Sequence, residues 1–173
     1  MATKYTLGRI TFALVMLAGV AGAEIKSPVT TGTREILAGR HKFVVAAAEA
    51  MPDNKYGFKP TPQQISFGET VTHVAEYNFR VCSLLSGAGS KKNLPDEHDG
   101  KARLVASLRE SFEFCSGVLS KMDDSVLGQT VQLYGPTSKG KALLYLTGHL
   151  ADHYTGMAMY LRLNGILPPS AQQ

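Results

Sequence analysis

The stretch 97–122 constrains the fold more than any other part of the chain. Leu104, Leu108, Phe112, Cys115, Leu119 and Met122 recur at steps of four, four, three, four and three, the period that gathers side chains on one face of an α-helix. A stripe that apolar must be buried against other helices. Three further segments read as helices. In 33–51, Ile36, Arg40, Phe43, Ala47 and Met51 fall in step, and Met51-Pro52-Asp53-Asn54 supplies the stop. In 63–86, after a break carrying Pro60 and Pro62, Phe67, Val71, Val74, Asn78, Cys82 and Leu85 form one stripe, with Thr70, His73, Tyr77, Val81 and Leu84 beside it. The last helix, 137–164, carries Leu143, Leu146, Leu150, His153, Met157 and Tyr160. It ends at Asn164-Gly165 with Pro168-Pro169 beyond, the usual C-terminal punctuation. No alternating strand of useful length is present, although 130–134 in the connector 123–136 reads as a scrap of extended chain. Four such helices around one core predict an all-α four-helix bundle.

The N-terminus has a different purpose. Lys4 and Arg9 precede an almost wholly apolar run, 10–20, followed by Ala21-Gly22-Ala23. This is the layout of a secretory signal, and the run is well short of the roughly 20 residues a spanning helix needs. We expect cleavage after Ala23 and export to a periplasm or the extracellular space, with no stable membrane insertion afterwards. Residues 24–173 then form one domain, long enough to bury about 70% of its unfolded surface. Lys4 and Arg9 leave with the signal, so the formal net charge falls from +4 to +2. No dense basic run with interleaved aromatics occurs, and Lys91-Lys92 reads as a solvated turn, so nothing supports nucleic-acid binding.

The chemistry lies in the five histidines. His149 and His153 are four apart, one helical turn on one face, the spacing a metal pair on a helix requires. By spacing alone this is a weak signal. Placement strengthens it, because His153 sits on the apolar stripe of its helix and His149 abuts it, so both are expected to point inward. Adjacent buried imidazoles are hard to satisfy without a metal or carboxylates. His73, near the middle of the second helix, can meet the pair at the same height. Three neutral histidines with one open position suit zinc, nickel, iron or cobalt. The alternative is a hydrogen-bonded core His73 and an accidental pair. His41 and His98 are expected at the surface.

Three anchors resemble the DinB-like family, also called DinB/YfiT-like. They are Phe58-Lys59-Pro60-Thr61-Pro62 leading through Ser66-Phe67-Gly68-Glu69 to Thr72-His73-Val74-Ala75-Glu76; His149-Leu150-Ala151-Asp152-His153-Tyr154; and the tail from Tyr160-Leu161-Arg162-Leu163-Asn164-Gly165 to Ile166-Leu167-Pro168-Pro169-Ser170. The resemblance implies an up-down-down-up bundle with one divalent transition metal, zinc or nickel, on His73, His149 and His153. Some relatives are thiol-S-transferases for small cytosolic thiols, and an exported member departs from that setting. Two function classes follow. One is a metal-dependent hydrolase or thiol transferase acting on a small molecule, with Glu76 and Asp152 as candidate catalytic carboxylates. The other is a metal-stapled bundle serving metal binding or protein interaction. No fourth ligand in register is evident, which tilts the reading toward an open site, and a second copy of the chain is left open as a partner. In a bundle of that topology the second and third helices run parallel. Cys82 and Cys115 then lie at similar heights, and an exported location permits a disulfide between them; two buried free thiols are the other reading.

Overall fold

The computed structural model describes residues 24–172; the expected signal segment, 1–23, lies outside the described residues. Four helices carry the fold: α1 (Pro28–Ala50), α2 (Phe67–Ser86), α3 (Lys101–Leu119) and α4 (Lys139–Leu163). Between α3 and α4 a hairpin of two short antiparallel strands, β1 (Thr130–Gln132) and β2 (Pro136–Ser138), pairs Val131 with Thr137. The extended scrap expected at 130–134 is its first half.

Side-chain pairings give the sense of each helix. Along the α1–α3 seam Arg34 donates to the Leu119 carbonyl, His41 stacks on Phe112 and Glu49 pairs with Arg109, so the two helices are antiparallel. Along α2–α3 the order is Gly68 with Leu104, Asn78 with Ser111, and Cys82 with Cys115, so these run parallel. Along α2–α4 the Tyr160 hydroxyl reaches the Ile65 carbonyl, His73 meets His153 and Tyr77 meets His149, an antiparallel pair. The bundle is therefore up-down-down-up, with segment 87–100 running back along its length from the end of α2 to the start of α3.

The stripes on α2, α3 and α4 are buried as their spacing requires, with Leu108, Phe112, Val71, Cys82, Leu146 and Leu150 wholly enclosed. Helix α1 meets expectation at Ala47 and Met51, both fully buried, and departs from it nearer its start. Its buried face runs through Thr33, Leu37, Val44, Val45 and Ala48, whereas Ile36 is largely exposed. The helix also begins earlier than position 33. Pro28 occupies its first turn, and the Asp124 carboxylate, far along the chain, accepts from the Val29 and Thr30 amides. Lys91 is no free turn residue either, since its ammonium lies over the Phe79 ring and pairs with Glu110. Among the described residues no helix is long and apolar enough to cross a membrane.

Candidate metal centre

Local chemistry at the start of α2 fixes where His73 falls. Ser66 caps the helix by accepting from the Glu69 amide, and the Glu69 carboxylate accepts in return from the Ser66 amide. The helix therefore starts at Phe67, and its inward stripe is set from there. The Tyr160 hydroxyl, 2.9 Å from the Ile65 carbonyl, ties this start to α4 and so sets the register of the two helices that carry the histidines. Ser138 caps α4 through the Lys141 amide, and Gly165, at φ +73°, closes its other end with the Ile166 amide bonded to the Leu161 carbonyl.

With that register His73, His149 and His153 converge, one coordinating nitrogen from each lying within 4.8 Å of the others. The Nε2 atoms of His73 and His149 are 2.9 Å apart. Nitrogens held by one zinc at about 2.0–2.1 Å stand roughly 3.3 Å from each other, so small side-chain rotations suffice to bring this triad to one ion. The donor set fits the group. Its setting differs from the inward one expected: His149 and His153 are half-buried and His73 is exposed, so the triad forms a shallow face in the α2–α4 groove.

Burial, and then the neighbouring His153 and His73, push the His149 pKa down to about 3. Burial and His73 likewise lower His153, against a smaller upward pull from Asp152. Both imidazoles are thus neutral near pH 7, the form that ligates a metal. His149 Nδ1 is buried without a hydrogen-bond partner. A metal-bound imidazole is ordinarily aimed by such a partner. Here the Tyr77 ring takes that role, stacked on His149 at 3.7 Å between centroids and 13° between planes. Sequence reasoning placed Tyr77 beside the core stripe without assigning it a task; its signal was the four-residue step from His73, which puts both on one face.

The remaining candidates separate clearly. Glu76 and Asp152 are exposed, and no hydrogen bond joins either to the three imidazoles. His98 is at the surface as expected. His41 is not: it is half-buried and stacked on Phe112 at 4.9 Å, with its pKa lowered by burial and by Arg109. Cys82 and Cys115 form the disulfide, with Cα atoms 5.3 Å apart.

A DinB superfamily model matches residues 37–157, well over half of the sequence and inclusive of all three histidines. The chain belongs to the DinB superfamily. No curated protein matches it. Among solved structures it is similar to a DinB-like protein from Bacillus cereus, with a TM-score of 0.68 at 15% identity over 80% of this chain and 95% of that one. A DinB-like protein from Bacillus subtilis gives 0.67 at 16% identity, over 82% and 99%. A conserved protein from Enterococcus faecalis gives 0.64 at 16%, over 80% and 96%. At such identities the likeness speaks for the shared DinB-like helical fold alone.

Proposed function

We propose that this DinB-superfamily protein is exported and holds one divalent transition-metal ion, zinc or nickel, on His73, His149 and His153, as a metal-dependent hydrolase or transferase of a small molecule. The observation that carries the reading is the convergence of three ring nitrogens within 4.8 Å, two of them on imidazoles kept neutral by burial. When bound, such an ion supplies a nucleophile at neutral pH by lowering the pKa of water or a thiol, or polarises a carbonyl. The protein's own part is to fix the imidazoles through the α2–α4 register, to aim His149 with Tyr77, and to leave one side of the triad open. No further His, Cys, Asp or Glu among the described residues joins the cluster, and the exposure of His73 gives a ligand access. Glu76, three residues after His73, and Asp152, beside His153, are the candidate carboxylates for proton transfer.

The shallowness of that face supports a second reading, in which the ion serves as a staple between α2 and α4. A cavity of about 540 Å³ lies away from the histidines, lined by Leu85, Phe114, Val118 and Met122 among others.

Elemental analysis of untagged mature protein tests the shared premise. We expect about one equivalent of zinc or nickel per chain, lost in His149→Ala and kept in His98→Ala. A folded, metal-free protein that takes up neither ion on dialysis overturns both readings. Turnover of ester, amide or thiol-epoxide substrates by the loaded protein, abolished in His149→Ala, separates enzyme from staple.

A further inference from the structure

From the triad toward the start of α4, the surface shared by α2 and α4 changes character. On α4, Lys141, Tyr145, His149 and His153 follow one another at steps of four and so share a face. On α2, His73 is followed by Tyr77 and Arg80. The hairpin tip adds Tyr134. These side chains meet: the Arg80 guanidinium lies 5.0 Å from the Tyr134 ring centroid, the Lys141 ammonium 5.4 Å from that of Tyr145, and the two rings pack edge to face at 6.0 Å. The Tyr77 hydroxyl faces Tyr134, joining this group to the ring that stacks on His149.

Three features set the patch apart from an ordinary solvated face. Neither Arg80 nor Lys141 forms an ion pair with a described carboxylate, although Glu76 stands one turn before Arg80. Tyr134 holds φ at +54°, a left-handed conformation unfavourable for a bulky residue, while the residue is 68% exposed. Packing of that ring in the core therefore does not compensate the strain; it meets Arg80, Tyr145 and the Tyr77 hydroxyl. Both cations rest on aromatic rings, which restricts their side chains before any ligand arrives and so lowers the entropic cost of binding one.

We infer that Arg80 and Lys141, flanked by Tyr134 and Tyr145, form a subsite for the anionic group, carboxylate or phosphate, of an aromatic or similarly flat small molecule whose other end reaches the three histidines. Only that last clause rests on the metal reading. At 1.5 Å per helical residue, Arg80 lies about 10 Å along α2 from His73 and Lys141 about 12 Å along α4 from His149, so the ligand spans roughly that length. Guanidinium and ammonium donors supply charge-assisted hydrogen bonds to the anion, and the rings supply a stacking surface.

The test uses the full mature protein stripped of metal by chelation, with phenyl phosphate and benzoate as probes and benzamide as the uncharged control. Binding is followed by calorimetry and by tyrosine emission, which no tryptophan obscures in this chain. We expect both anions to bind and benzamide not to. Arg80→Gln and Lys141→Gln should each weaken binding about tenfold, the range for a charge-assisted contact. Lys42→Gln, an equal change of net charge on α1, should change it less than about twofold. Equal melting temperatures establish that the variants fold. Absence of anion binding to the metal-free protein overturns the subsite. So does binding unaffected by the double variant Arg80→Gln/Lys141→Gln, or binding that requires loaded metal and ignores both substitutions. Charge-dependent binding by a protein that takes up no metal leaves the subsite standing and removes the metal reading.

Discussion

Tyr77 lies flat against His149, and that contact does for the imidazole what a hydrogen bond to Nδ1 does at most metal sites. The ring has no polar partner for its buried nitrogen, so its plane is held by stacking at 3.7 Å. Hydrogen-bonding groups that orient a ligand are worth roughly ten- to a hundredfold in metal affinity, and the lower end is taken here for a stacked ring. Tyr77→Leu should therefore weaken zinc binding about tenfold, whereas Tyr77→Phe, which keeps the ring, should bind as the wild type does. Competition against a chelator of known affinity measures both. Equal affinity in Tyr77→Leu means that the helix register alone aims His149. At this scale the sequence disclosed the three histidines, because an i, i+4 pair on an apolar face has a geometric meaning before any fold is known. It did not disclose Tyr77's partner, since the stacking arises between helices 72 residues apart in number and depends on their register. Nor did it disclose the partial burial of His41, whose ring is covered by Phe112 of another helix.

A helix start decides which side chains its stripe delivers, and α2 is started by a reciprocal pair. The Glu69 carboxyl is held down to about 2, below its ordinary 4.5, by the Ser66 amide first and then by Lys59, whose ammonium is 3.1 Å away. A carboxyl with a depressed folded pKa contributes stability that is present above the unfolded value and is lost as pH falls through the folded one. Acid unfolding of the wild type should therefore carry a component between about pH 4.5 and 2 that Glu69→Gln lacks. A matching slope in the variant refutes the capping role of that carboxylate. Ser66→Ala should cost about 1 kcal/mol, a fall of about 3 °C in melting temperature. The stripes of α2, α3 and α4 were legible because each is flanked by clear breaks and carries one apolar face. In α1 adjacent apolar residues, Ile36 and Leu37, fit the periodicity almost equally well; contact with α3 and α4 selected Leu37. Helix α3 starts later than its periodicity predicts, at Lys101, for a local reason. Asp96 accepts from the His98 amide and Asp99 accepts from the Asp96 amide, so the two side chains close turns that compete with helix until Gly100.

At the scale of the whole molecule, the disulfide and the histidine cluster lie on different seams of the bundle. The Cys82–Cys115 bridge joins the parallel helices α2 and α3, while the histidines converge from the antiparallel α2 and α4. The bridge spans a sequence separation of 33 residues, and by the chain-entropy model closing such a loop stabilises the fold by roughly 3 to 4 kcal/mol. It also fixes what distinguishes this topology from a simple up-down bundle, namely that two consecutive helices run the same way with a crossing segment, 87–100, between them. Nine residues separate His73 from Cys82 on α2, about 13 Å along the axis, so loss of the bridge need not disturb the triad. Reduction, or the double variant Cys82→Ala/Cys115→Ala, should lower unfolding free energy by about 3 to 4 kcal/mol and leave zinc uptake within about twofold of wild type. Denaturant titration with and without reductant measures the first effect, and chelator competition the second. Thiol titration of the denatured, unreduced protein gives the direct test. No reacting thiols are expected, and two per chain would show that the parallel helices are held by packing alone. A large loss of zinc affinity on reduction would show instead that the α2–α3 seam sets the position of His73, coupling the bridge to the histidine cluster through the single helix they share.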